Sequence, residues 1–294
     1  MTERLLFPAD YQALYRFRTG NPALETGVPA RPGLAPAGLS PCRRLVLRDI
    51  GAESIGVRPR NMNRFRVVSD LVCPWCYIGK RRLEAALHEL PPGTDAGVSW
   101  HPFQLNPGMP AEGVDRNEYR LRKFGDPERC RAMDAQLTEV GKSVGIDFRF
   151  DLQSTIPNTF DSHRVIWLAG RLGVQDAVME ALFRAYFCEG ANFSERAQLV
   201  KVAVAAGLEA ARVERLLGSE EGAAQVQAEE REVKAFGVSA VPLFIIQDRI
   251  AVSGAQPPEV LLQALDQAQE LPRKQRRSAK ERAKPGCDPA GCKA

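Results

Sequence analysis

Apolar positions along the chain change their period twice. FRVVSDLV (65–72) is a dense run rich in β-branched and large apolar residues, the pattern of a buried strand. Beyond it, KRRLEAALHEL carries Leu83, Leu87 and Leu90 at helical spacing. VSWHPFQL (98–105) predicts a second strand, closed by Asn106, Pro107 and Gly108. The sequence then reads as almost purely helical, over 115–124, 128–144, 159–172, 175–188, 195–206, 209–217 and 220–236. Turn signals separate these segments: Gly125-Asp126-Pro127, Pro157-Asn158, and Ser194 as an N-cap. Within 237–254 two short β-rich runs flank Asp248-Arg249 and predict a hairpin. A last helix is expected over 255–271, with Pro257 or Pro258 in its first turn.

The order is β-α-β, a helical block, then β-β-α. Residues 62–106 and 237–271 can share one sheet if 107–236 is an insertion, and chain closure opposes this little because its cost grows only logarithmically with length. The expected fold class is therefore α/β with a large all-helical insertion.

Composition changes this picture mainly at the ends. The chain is 44 % hydrophobic and 26 % charged, ordinary for a soluble globular protein. Its net charge of +4 belongs to the termini: residues 272–294 hold 8 Lys/Arg against 2 Asp/Glu, and residues 1–61 hold 9 against 5. The middle is acidic, which argues against a nucleic-acid-binding body. Nine of the 22 residues from Gly20 to Pro41 are Gly or Pro, so 1–61 reads as a disordered extension. Met62 is an alternative natural start, and 272–294 is a basic tail. No run approaches a membrane span, the N-terminus lacks signal-peptide character, and seven cysteines make no disulfide framework. A cytoplasmic location is the expectation.

The candidate chemistry lies at the first strand–helix corner, Cys73-Pro74-Trp75-Cys76. C-x-x-C spacing alone is a weak clue, and its context is what counts. Cys73 should occupy the first exposed turn of the helix, where unpaired backbone N–H groups favour an anion. A thiolate is the attacking species in disulfide exchange. Pro74 suits the first helical turn because its missing N–H would be unpaired there anyway. Cys76, three residues on, lies on the same side and can resolve a mixed disulfide. In VSAVPLFII, Pro242 precedes a strand, and a cis Val241–Pro242 bond beside the dithiol would present the Val241 backbone to an extended substrate.

These residues carry a family resemblance. DLVCPWCYIGKRRLE, SWHPFQLNP, PNTFDSHRVIWLA, EALFRAYFCEG, GVSAVPLFII and AVSGAQPPEVLLQAL together resemble the FrnE-type branch of the DsbA-family thiol oxidoreductases, over about 65–270. The resemblance implies a thioredoxin-like fold interrupted by a helical domain. It also implies that Cys73 attacks, Cys76 resolves and Pro242 is a cis proline facing them. Pro-Trp between the cysteines, with no His, departs from the periplasmic archetype. The partners implied are protein or small-molecule thiols and disulfides, with glutathione a candidate co-substrate and no cofactor or metal. FrnE-type proteins can also carry a distal cysteine pair, so Cys287 and Cys292 are candidates for an auxiliary dithiol, against the plainer reading of incidental tail cysteines. Zinc would need more ligands than this tail offers.

Two rival functions remain. Kappa-class glutathione transferases and 2-hydroxychromene-2-carboxylate isomerases share the interrupted plan but typically place a serine where Cys73 stands. A non-enzymatic holdase would use the cleft without the thiols. Among other residues, Trp75 is expected to be exposed, and the KRR run beginning at Lys80 to be a solvated face. Cys42, Cys130 and Cys188 have no partner at diagnostic spacing, and Cys188 reads as a buried small hydrophobe. Asp70, Gln104, Asn158 and Arg164 are candidate cleft residues, and His88, His101 and His163 are scattered.

Overall fold

The computed structural model describes residues 63–271. The expectations for the 1–61 extension, a start at Met62, Cys42, and the tail pair Cys287 and Cys292 lie outside the described residues.

Strand β1 (Asn63–Ser69) is central because its side chains can be buried on both faces. Phe65, Val67, Val68 and Ser69 are all at most 1 % exposed. β2 (Ala96–Pro102) pairs with it in parallel, from Asn63 opposite Ala96 to Ser69 opposite Pro102. β5 (Leu243–Ile246) pairs with its other edge antiparallel, and β6 (Ile250–Ser253) follows as a hairpin, giving the order β2-β1-β5-β6. One sheet thus joins strands from the two ends of the pattern, and the class is the thioredoxin-like α/β fold expected. The hairpin turns one residue earlier than Asp248-Arg249 suggested. Gln247 and Asp248 take positive φ, and the Arg249 N–H donates to the Ile246 carbonyl at 3.0 Å. Asp tolerates this left-handed conformation better than most residues.

Helix α1 (Pro74–His88) follows β1 through a short turn, and α9 (Pro258–Glu270) packs against it. Between β2 and β5 lie α2 (Arg116–Phe124), α3 (Pro127–Ser143), α4 (Phe160–Arg171), α5 (Gln175–Glu189), α6 (Arg196–Ala205), α7 (Ala210–Leu217) and α8 (Ala223–Ala235). Helices α4, α5 and α8 pack on β2, so the insertion and the sheet share one core.

The insertion is not purely helical. β3 (Val114–Asp115) and β4 (Thr155–Ile156) form a two-residue antiparallel ladder, with a 3₁₀ turn at Phe150–Leu152. Segments this short leave no readable period. Ser194 does not cap α6; that position belongs to Glu195, and the Ser194 N–H instead donates to the Asn192 side chain.

Candidate active site

The corner begins where β1 ends. The Cys73 N–H donates to the Asp70 carbonyl at 3.1 Å, turning the chain, and the Cys76 N–H donates to the Cys73 carbonyl at 3.0 Å as α1 starts. Cys73 is the N-cap of α1 with extended backbone, and Pro74 is the first helical residue. Both cysteines are free thiols. Cys73 is 4 % exposed and lines a cleft, whereas Cys76 is fully buried behind it. Burial pushes the Cys76 thiol well above its ordinary range. The neighbouring Cys73 adds to this through a hydrogen bond and through charge, and contacts from the Ser69 hydroxyl and the Asp70 backbone only partly offset it.

The strand leading into β5 brings the second element. The Val241–Pro242 peptide bond is cis, and the Cys73 Sγ donates to the Val241 carbonyl at 3.6 Å. Residues 168 positions apart therefore meet at the thiol. Gly79, one turn beyond Cys76, makes the approach feasible. A Cβ there would lie 3.0 Å from the Phe244 ring and 3.1 Å from the Pro242 ring. Sequence reading passed over Gly79, whose only signal was a glycine inside a helix-forming stretch.

Several sequence expectations require correction. Trp75 is only 8 % exposed and belongs to the buried core cluster. Lys80 is no solvated residue either. Its side chain is 2 % exposed, with its ammonium 3.3 Å from Asp176, 3.2 Å from Glu180, and bonded to Glu84. Helix α5 covers this face of α1, and no pattern within α1 alone could signal that. Cys188 is half-buried against the core rather than enclosed.

Asp70 and Gln104 are buried beneath the cleft instead of bordering it. The Asp70 carboxylate accepts from the Leu105 N–H at 2.7 Å and lies 3.5 Å from His163, so it fixes the loop whose Leu105 forms a cleft wall. Asn158 accepts from the Phe160 N–H and donates to the Met109 carbonyl, tying that loop to α4. Arg164 is 4 % exposed and donates to the carbonyls of Leu216 and Glu221, joining α4 to the α7–α8 connection. None of the three histidines lines the cleft.

The cleft encloses about 850 Å³, open solvent at its mouth included. It is lined by Val72, Cys73 and Pro74, by Ser239, Ala240 and Val241, and by residues of the insertion that include Arg116, Arg120 and Lys123 of α2. Sequence analysis recognised α2 as a helix but gave these cations no role. Among the described residues, no group of three or more His, Cys, Asp or Glu is arranged to hold a metal ion.

Residues 65–266 match the DSBA-like thioredoxin domain family. The chain belongs to that family. It is 33 % identical to the probable DsbA oxidoreductase SCO1869 of Streptomyces coelicolor, whose crystal structure it matches with a TM-score of 0.68 over 79 % of this chain and 99 % of that one. It is 28 % identical to the uncharacterized protein YwbO of Bacillus subtilis (strain 168), over 69 % of this chain and 96 % of that protein. A 2-hydroxychromene-2-carboxylate isomerase structure shares the fold at a TM-score of 0.50 and 16 % identity, covering 69 % and 95 % of the two chains. This is a DsbA/FrnE-like member of a thioredoxin-fold oxidoreductase family.

Proposed function

We propose that the chain is a protein thiol–disulfide oxidoreductase that works through Cys73 and Cys76, in a cytoplasmic setting where the lone thiols Cys130 and Cys188 stay reduced. The observation that carries this reading is the asymmetry of the two thiols. Cys73 lines a cleft at the start of a helix, and Cys76 is buried behind it with its proton held more tightly than that of an ordinary thiol.

In the reductive direction, the Cys73 thiolate attacks one sulfur of a substrate disulfide. A Cys73–substrate disulfide forms, and the other substrate sulfur leaves as a thiolate that takes a proton from water. Cys76 then loses its proton to solvent and attacks Cys73 Sγ, closing the Cys73–Cys76 disulfide and releasing the second substrate thiol. Two electrons pass from the protein to the substrate, and the reverse sequence oxidises a dithiol. The cis Val241–Pro242 segment is the proposed rest for an extended substrate, because the Val241 carbonyl lies beside Cys73. Glutathione is a proposed co-substrate that returns the protein to its dithiol form.

Insulin reduction monitored by turbidity tests this. Cys73→Ser should bring turnover to background. Cys76→Ser should stop turnover yet accumulate a mixed disulfide, visible by mass spectrometry as one substrate thiol on Cys73. Full activity of Cys73→Ser would refute the proposal. Two thiols at this corner favour exchange over a transferase or isomerase that depends on bound glutathione. Aggregation suppression surviving the loss of both thiols would instead support a holdase.

A further inference from the structure

Helix α2 meets solvent along much of its length but turns one basic face toward the cleft. Arg116, Arg120 and Lys123 stand at i, i+4 and i+7, hence on one face, and that face lines the cleft beside Cys73. The two guanidiniums are well enclosed, with side chains 8 % and 12 % exposed. Among the described residues no Asp or Glu lines the cleft.

The plain structural explanation covers only part of this charge. Asp134 of α3 bridges Arg116 at 2.9 Å and Arg120 at 3.0 Å, so one carboxylate serves two guanidiniums. The Lys123 side chain is exposed; its ammonium donates to the Tyr119 hydroxyl at 2.9 Å and sits over the Tyr119 and Phe124 rings, with no carboxylate in contact among the described residues. Arg120 Nε is buried and has no hydrogen-bond partner. Arg120 also donates to the Cys130 carbonyl at 2.8 Å, so its unused donor is Nε alone, and a buried donor left unused is costly unless an acceptor comes to it. The rings of Phe150 and Phe124 lie under the guanidiniums of Arg116 and Arg120, holding them in place. A preset guanidinium fork is suited to a carboxylate.

We propose that the insertion wall of the cleft is an anion site, and that the preferred substrates are thiols and disulfides carrying a carboxylate near the sulfur. The anion would rest against Arg120 and Lys123 while the sulfur faces Cys73 in the same cleft. This rests on the exchange reading above and narrows its substrate class. The reaction is unchanged: a disulfide RSSR and the two protein thiols give two RSH and the Cys73–Cys76 disulfide.

The test uses the reduced full-length protein and three small aliphatic disulfides that differ in charge: 3,3′-dithiodipropionate (dianionic), bis(2-hydroxyethyl) disulfide (neutral) and cystamine (dicationic). Second-order rates of dithiol oxidation are measured at low and high salt. The dianion should outpace the neutral disulfide by about tenfold at low salt, and the dication should be slowest, with the gaps narrowing as salt rises. In Arg120→Gln/Lys123→Gln the dianion-to-neutral ratio should fall to about one, whereas Arg120→Lys should retain most of the preference. Arg116 is left in place because it is the more buried of the two arginines and donates to both Asp134 oxygens, at 3.0 and 2.9 Å. Circular dichroism checks that each variant is folded. Equal rates for all three disulfides would overturn the anion site and leave the exchange reading standing. A preference that survives the double substitution would overturn its assignment to α2. Failure to react with any of the three would sink the exchange reading itself, and the site with it.

Discussion

At the scale of single residues, the dithiol is a pair made unequal by position. Cys76 has no exposed surface and a raised pKa, whereas Cys73 opens on the cleft. The consequence for stability has a definite sign. Below the ordinary thiol value of 9.0 both folded and unfolded Cys76 keep their proton, so no stability is lost. As pH rises past that value the unfolded thiol ionises first, and the stability contributed by burying the neutral form drains away toward the raised folded pKa. In a Cys73→Ser background, which removes the partner thiol and leaves burial, urea unfolding should show this loss setting in as pH rises past about 9. A Cys73→Ser/Cys76→Ser control should lack that component. Iodoacetamide should modify Cys73 well before Cys76 in the wild type, read by peptide mass mapping.

At the scale of elements, α1 is held against α5 by an ion cluster. Lys80 faces Glu84, Asp176 and Glu180, and Arg81 pairs with both Glu84 and Glu180. Tyr77 stacks on Phe183 at 5.1 Å and donates to Glu180 at 2.9 Å. Burial alone would lower the Lys80 pKa, but the Glu84 hydrogen bond and the surrounding carboxylates raise it. Burial alone would raise Glu84, but Lys80 and Arg81 hold it low. Because Glu84 is depressed in the folded state, its contribution is fully present above 4.5 and lost as pH falls through the folded value. Lys80→Met should cost about 2 kcal/mol, less than for a fully enclosed pair because the carboxylates stay partly hydrated. It should also flatten the acid limb of the stability profile below about pH 4.5, measured by denaturant titration. An unchanged acid limb would show that the cluster contributes nothing.

At the scale of the whole molecule, the site exists because two distant stretches close on each other. β1 and β5 pair although the insertion separates them, and α1 crosses Pro242 and Phe244 at Gly79 so closely that a methyl there would press on both rings. Phe244 is fully buried, so its ring shifts only by disturbing the core around it. Gly79→Ala should therefore destabilise the protein by about 1–3 kcal/mol despite alanine's better helix propensity, and should slow exchange by pushing Pro242 from its place near Cys73. Chemical denaturation and the insulin assay read the two effects, and a variant of raised stability would show that the contact gives way.

Much of this was legible in the sequence for physical reasons that act locally. Hydrophobic period located the insertion's helices and the last one to within three residues at each end, Gly125-Asp126-Pro127 and Pro258 marked helix starts, and the apolar run into Cys73 revealed the strand–helix corner. What sequence reading missed depended on neighbours it could not show. A lysine in a KRR run looks solvated until α5 covers it; a tryptophan beside a cysteine looks exposed until the core closes around it. The β3–β4 ladder is too short to have a period, and the Arg116, Arg120 and Lys123 stripe has the spacing of any helix face. The sequence by itself determined which segments would be helix or strand and where a dithiol would stand, because backbone preference and side-chain period are properties of short stretches. Only the tertiary structure decided which thiol is enclosed, which charges face the cleft and which glycine must remain one, because burial and charge balance depend on residues far apart in the chain.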